Sequence, residues 1–222
     1  MAYAHVQSVA ADAATATITA STAGTLLVFS VFWSTGASDG PATVTSGFTA
    51  VTTELAQNGG GYSSAVYHYP NNPGGITSVG VLTWVTADPG SRRVYVSEYS
   101  GIATSSPVLT FAKQSQTTPG TGANAVSSSA STVTLAGAPG ALIYGFAGEF
   151  GSGVTMNVGT DRAFTSRVVN DGNRVEDLRI TSDGSNAATF TAGTAPDSSS
   201  AWMVAFAEAG GGVSYPIGQS VF

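Results

Sequence analysis

Chemistry in a protein starts from side chains that can ionise, give up a proton or hold a metal, and this chain offers few of them. It carries two histidines, His5 and His68, and no cysteine. A thiol nucleophile, a disulfide frame and a Cys-ligated zinc site are therefore excluded. The segment Gly36-Ala-Ser38-Asp-Gly40 matches the G-x-S-x-G pattern that presents a nucleophilic serine. That pattern works on a strained turn entering a helix. Here Pro41-Ala-Thr-Val-Thr continues as loop or strand, so the segment reads as a Gly-Asp turn. Neither histidine neighbours a Ser or Asp pattern that would fix its tautomer. His68 lies in the alternating run Ala65, Tyr67, Tyr69 and reads as a surface or interface residue.

Carboxylates are the next resource. Glu98 and Glu149 each end an apolar strand, so the two could meet at one end of a sandwich. Acid and base work on a glycosidic bond needs such a pair roughly 5–10 Å apart across a cleft. No E-x-D-x-x-E strand pattern accompanies them, and they read as structural carboxylates bonded to turn amides. Asp161, Asp171, Asp177 and Asp183 sit in Gly- and Asn-rich turns without the loop spacing of an EF-hand, and read as turn formers rather than calcium ligands. The expectation is a protein without catalytic residues, metal or cofactor. Tyr62, Tyr67, Tyr69, Trp84, Tyr95 and Tyr99 could form a sugar-stacking platform, but alternating aromatics on strands more often face a core or a neighbouring subunit.

The elements that would position these groups are strands. Apolar runs of five to nine residues, rich in Val, Thr, Ile and aromatics, are bounded by Gly, Pro, Asn, Asp or Ser. The pattern predicts about 12–14 strands, near 2–9, 14–20, 25–34, 43–52, 62–69, 76–85, 92–99, 107–114, 126–135, 141–149, 162–169, 174–181, 187–192 and 201–208, with helix nearly absent. In 25–34, Leu26, Val28 and Phe32 point one way and Leu27, Phe29, Val31 and Trp33 the other, which marks a central strand covered on both sides. Around Arg162–Val169 polar residues thin the pattern, so one face meets solvent. The fold expected is an all-β, two-sheet, jelly-roll-like sandwich forming one domain over 1–209.

A weak internal repeat points to two halves of about 110 residues. Thr17-Ile-Thr-Ala-Ser-Thr-Ala-Gly-Thr-Leu-Leu-Val recurs in outline from Thr132 to Tyr144, and Arg93–Gly101 echoes Trp202–Gly210. The low-complexity stretch 115–131 reads as the connection between the halves. Gly210-Gly-Gly212 reads as a flexible joint to an apolar tail over 210–222. Tyr215, Pro216, Ile217, Val221 and Phe222 are its candidate partner-binding residues.

Charge narrows the partners. Seven basic residues face thirteen acidic ones, with no basic cluster larger than Arg92-Arg93, so a nucleic-acid backbone is not expected as a partner. Charged residues make up 9% of the chain against a usual ~25%, which leaves Ser, Thr, Asn and Gly to dress the surface. No run approaches the ~20 apolar residues of a membrane span, and no export signal is visible behind Met1.

Two segments, Tyr67-His-Tyr-Pro-Asn-Asn-Pro-Gly-Gly-Ile-Thr-Ser-Val-Gly-Val and Val96-Ser-Glu-Tyr-Ser-Gly-Ile-Ala-Thr-Ser-Ser-Pro107, resemble a family of jelly-roll, concanavalin-like domains of tailed-phage virion proteins and bacterial surface proteins. The shared pattern is an aromatic strand, a Gly-Gly turn, a Val/Thr strand, then Glu-Tyr-Ser-Gly and a Pro. The resemblance implies location in a virion or on a bacterial surface and supplies no catalytic residues. Together with a stand-alone sandwich without an export signal, a polar uncharged surface and the Gly-jointed apolar tail, it leads to the expectation of a bacteriophage structural protein, a capsid decoration or head-surface protein, that contacts other virion proteins and forms a homo-oligomer. A tail-associated adhesin or a module that binds host surface glycan is the alternative.

Overall fold

The strand expected to be covered on both faces organises the molecule. The computed structural model describes residues 2–34, 40–52, 56–58, 62–116, 125–149, 154–159, 162–192 and 199–210. Nine strands make the first half: β1 (Ala4–Ala11), β2 (Thr15–Thr17), β3 (Leu26–Ser34), β4 (Pro41–Val44), β5 (Thr49–Ala50), β6 (Ala56–Asn58), β7 (Tyr62–Tyr69), β8 (Ser78–Trp84) and β9 (Arg92–Ser100). The second half holds β10 (Val108–Gln116), β11 (Ala125–Ser127), β12 (Ser131–Val133), β13 (Ala141–Glu149), β14 (Met156–Val158), β15 (Thr165–Asn170), β16 (Asn173–Ile180), β17 (Gly184–Asn186), β18 (Thr189–Ala192) and β19 (Ser199–Ala207). All pairings between these strands are antiparallel.

The halves repeat one another in topology. The large sheet of the first half runs β1-β9-β3-β7-β5, and that of the second runs β10-β19-β13-β16-β15. In each case the order is first, last, the strand after the first turn, then the hairpin partners. A small outer sheet, β2-β8-β4, covers the first; β11-β18-β14 and β12-β17 cover the second. The molecule is therefore a sandwich of four layers, where two sheets were expected. The extra layers follow from strands such as β3, β13 and β19, whose alternate residues are apolar on both faces and must be covered twice.

Three apolar clusters fill the gaps between layers. Leu27, Phe29, Val31 and Trp33 of β3 face outward to Ala16, Val79 and Val81 of the small sheet. Ile143, Ala147, Met203 and Ala205 face outward to Val126, Val133, Met156 and Phe190. Between the two large sheets lies a shared seam built from Leu26, Val28, Phe32, Tyr95 and Tyr99 on one side and Leu142, Tyr144, Phe146, Trp202 and Phe206 on the other. Each of these side chains, buried fully, contributes roughly 1.5–3 kcal/mol.

The connection between halves is short. Residues 101–107 link β9 to β10, and Ile102 bridges to Glu208 while the Ala209 N–H donates to the Gly101 carbonyl at 2.8 Å. The stretch 115–131 is not that connection: β10 and β11, which flank 117–124, pair with β19 and β18 of the same half. Low complexity marks a loop, but not which strands the loop joins.

Register shows how the halves meet. Leu26 pairs with Tyr99 and Leu142 with Phe206, while Val28 pairs with His68 and Tyr144 with Asp177. With Leu26 and Leu142 as counterparts, Phe32 corresponds to Gly148, and these two meet across the seam. A Cβ on Gly148 would lie 2.6 Å from the Phe32 ring. β1 packs on β15 and β10 on β6, so the lateral order is reversed between sheets. The halves are thus related by a pseudo-twofold axis running along the strands between β3 and β13.

The edges of the large sheets carry the same device. β1 has a bulge between His5 and Gln7, β10 between Val108 and Thr110, and β15 between Ser166 and Val168. His5 pairs with Tyr99 and Val108 with Phe206, so the first two bulges occupy equivalent places. A bulge bends an edge strand and blocks further pairing.

Replacing Gly148 with Val should destabilise the fold by about 1–3 kcal/mol through overpacking against Phe32. Urea unfolding followed by tryptophan fluorescence should show a lower midpoint at unchanged slope.

Candidate functional site

The groups with chemical potential gather on one side of the seam, where the ends of β1 and β9 lie over β15 and β16. Bulging Val6 out of β1 turns His5 and Ser8 to the same face, although three residues separate them. His5 Nε2 lies 2.7 Å from Ser8 Oγ, and Ser8 Oγ lies 2.8 Å from Ser97 Oγ. Sequence spacing did not disclose this pair, because in a regular strand residues i and i+3 face opposite ways. The His5 ring packs edge-on against Tyr99 at 5.6 Å, and Tyr3 does the same at 5.8 Å.

Beneath them Arg167 makes a two-pronged pair with the buried Asp177, Nε donating at 2.6 Å and Nη2 at 2.8 Å. Burial pushes the Tyr3 phenol well above its ordinary range, and the Asp177 charge adds to it. Burial lowers the His5 pKa, with the Arg167 cation acting in the same direction against the Asp177 charge and a hydrogen bond to the Gln7 backbone. The arrangement is a chain of structural hydrogen bonds over a buried ion pair.

The other carboxylates have separate duties. Glu98 Oε1 accepts from the Thr22 N–H and from Thr25 Oγ1, both at 2.7 Å, and Oε2 accepts from Gln7 Nε2 at 2.5 Å. It therefore ties the 19–25 turn to β1 and β9, as expected of a carboxylate bonded to turn amides. Glu149 does not meet it. Glu98 pairs at the level of Leu27, while Gly148 faces Phe32 at the far end of β3, about 20 Å along the strand. Glu208, which sequence reading passed over, accepts from Arg179 at 2.6 and 2.7 Å and from the Tyr3 N–H at 3.1 Å. It fastens the start of β1 to the end of β19.

The turn aspartates are dispersed. Asp171 takes a left-handed φ of 46° in the β15–β16 turn and pairs with Arg93. Asp183 Oδ1 accepts from the Leu135 N–H at 2.9 Å, and Asp177 lies in the seam. Among the described residues no three His, Asp or Glu side chains come together as a metal site. Asp161 and Ser38 lie outside the described residues, as do Tyr215, Pro216, Ile217, Val221 and Phe222.

Aromatic residues mostly meet one another. Tyr95 and Tyr99 are buried in the seam, which removes them from any sugar platform. Tyr62 stacks on Phe32 at 5.7 Å, Tyr67 on Phe29 at 4.7 Å, and Trp84 tilts over Trp33 at 5.6 Å. Burial moves the Tyr67 phenol up to about 12. Tyr69 packs against Phe48 at 5.5 Å.

A few large apolar residues are exposed among those described: Val6, Phe111 and Val169 on the large sheets, and Leu82 and Val85. Leu82 and Val85 are 60% and 58% exposed on the small outer sheet of the first half. The register slips around Leu82, where Thr83 pairs with Thr43 and Val81 with Val44. The corresponding strands β17 and β18 of the second half carry no exposed large apolar residue among those described.

Comparison with family models, with curated proteins and with solved structures returned no match.

Two outcomes test this account of the buried charges. Replacing Arg167 with Met leaves the Asp177 carboxylate buried without its partner and should cost about 3–5 kcal/mol in chemical denaturation, relieved when Asp177→Asn is added. The Glu208 carboxyl is held below its ordinary value by the Arg179 hydrogen bonds and the Tyr3 amide, against an opposing effect of burial. Its contribution is present above the ordinary carboxylate range and lost as pH falls through the lowered value. Glu208→Gln should therefore flatten the acid limb of a melting-temperature profile and lower its neutral plateau.

Proposed function

We propose that the chain is a bacteriophage virion structural protein, a capsid decoration or head-surface protein that acts through protein–protein contacts. The observation that carries the reading is the pairing of an inward-turned chemistry with the two most exposed large apolar residues among those described, three positions apart at the end of β8. Asp177 and Glu208 are engaged by Arg167 and Arg179, and Glu208 also accepts from the Tyr3 N–H of the other half, whereas Leu82 of β8 and Val85 just beyond it project outward from an uncharged segment. Exposed apolar side chains grouped together mark a contact surface.

The strand order supports the same reading. In the first half the order first-last-third-seventh, facing second-eighth-fourth, supports a jelly-roll reading of the antiparallel sandwich, the fold that the resemblance carried by Tyr67–Val81 and Val96–Pro107 would imply. Bulged edges oppose growth by open-ended strand pairing and leave faces as the means of assembly. The tail residues Tyr215, Ile217 and Phe222 would supplement Leu82 and Val85 as anchors in a partner's groove. Aromatics that stack on one another offer less support to the glycan-binding alternative.

Sedimentation with isolated phage heads tests the proposal. The intact chain should pellet with heads, and the Leu82→Lys, Val85→Lys double variant should stay in the supernatant while keeping its melting temperature. A chain that ignores heads and instead binds a glycan array would overturn the virion reading.

A further inference from the structure

The two sides of the seam are built differently, and the difference falls at one pair of equivalent positions. On the β9–β16 side the position is Asp177, held by Arg167 beneath Tyr99. On the β7–β19 side it is His68, whose ring lies 5.9 Å from the Phe206 ring that replaces Tyr99. His68 Nδ1 is buried and has no hydrogen-bond partner. The neighbours that face the ring are Val28 on β3, Thr49 on β5 and Phe206 across the seam. None carries a charge.

The nearest seam charges are already engaged. Asp177 is paired with Arg167, Glu208 with Arg179 and the Tyr3 amide, and Lys113 lies over the Trp202 ring at 5.6 Å. Among the described residues no carboxylate faces His68 from β3, β5, β7 or β19. A proton added on the buried Nδ1 would therefore set a charge against a phenyl ring in a half-buried site, offset by the Thr49 backbone alone among the described partners.

We propose that His68 is a proton-operated latch: neutral, it lets β7 and β19 close over it, and protonated, it parts that side of the seam while the Arg167–Asp177 side holds. Burial lowers the His68 pKa, and a hydrogen bond to the Thr49 backbone only partly offsets this. The sign follows from linkage. The opened state takes the proton first, so the latch is at full strength above the ordinary histidine range near ~6.5 and weakens as pH falls below it. This inference is independent of the virion reading, since it concerns the seam and not the outer surface.

Hydrogen exchange of the full chain, compared at about pH 7 and about pH 5 after correction for intrinsic rates, tests it. Amides of β7 and β19 should exchange about tenfold faster at the lower pH, with β1 and β15 changing far less. His68→Phe, which fills the same space and cannot take a proton, should abolish the acceleration; His68→Gln serves if the Phe variant folds poorly. His5→Gln should leave it intact. Nuclear magnetic resonance titration of the His68 ring should give a midpoint below that of a free histidine. An ordinary midpoint, equal exchange at both pH values, or acceleration that persists in the His68 variants would each overturn the proposal.

Discussion

Everything in this molecule depends on two large sheets burying one face against each other. Each half could cover one side of its large sheet with its own small sheet, and does so, but the inner face with Leu26, Val28, Phe32, Tyr95 and Tyr99 has no cover within its own half. Exposed, that face would be an apolar surface far larger than a soluble protein tolerates. The second half presents a face of the same shape, and the hydrophobic effect closes the pair. Hydrogen bonds then set the registration: Ser30 Oγ to Tyr144 Oη at 2.8 Å, Ser64 Oγ to Ser200 Oγ at 2.7 Å, and Trp202 Nε1 donating to Ser64 Oγ at 2.8 Å. Buried polar groups placed in this way reward one alignment and penalise slips, because a shifted sheet would leave each of them unpaired.

The pseudo-twofold relation explains why the seam residues are complementary rather than repeated. On an axis lying along the strands, a residue of β3 meets its own counterpart in β13. In a symmetric dimer Phe32 would face Phe32, or Gly148 would face Gly148, giving a clash or a void. Joining the halves in one chain lets each position be filled once, and a large ring opposite a glycine packs where two equal residues would not. The same freedom allows Asp177 with Arg167 on one side of the seam and His68 with Phe206 on the other. Backbone topology has been kept in duplicate while the side chains have diverged to serve a single copy.

Much of the fold could be read from local pattern. The strands 25–34, 141–149 and 201–208 stand out because apolar residues continue on both parities, and all three are central in their sheets. The thinning of that pattern around Arg162–Val169 marked a strand with a face to solvent, β15, and the sheet order places it at an edge. Short pieces such as β14 and β17 were missed, since three residues give no periodicity to detect. The site was less legible. His5 and Ser8 came together through a bulge, and a bulge is a property of pairing with β9, not of either residue. Glu98 and Glu149 could be seen to end strands, but which end of the body each strand finishes at depends on strand direction within the assembled sheets.

By itself the sequence determined that the chain is all-β, that several strands are buried on both sides, that thiol chemistry is absent, and that the chain is built in two related halves. These follow from residue type and spacing, which act over a few neighbours and survive without knowledge of what lies opposite. Only the tertiary structure decided that there are four layers rather than two, that the halves join at 101–107, and that His68 faces a phenyl ring while its counterpart faces an arginine. Those facts depend on pairings the local pattern does not specify, several of them between residues more than a hundred positions apart, such as Gly101 with Ala209 and His68 with Phe206. Such contacts are set by the closing of one apolar face on another, and no local spacing records which two faces those will be.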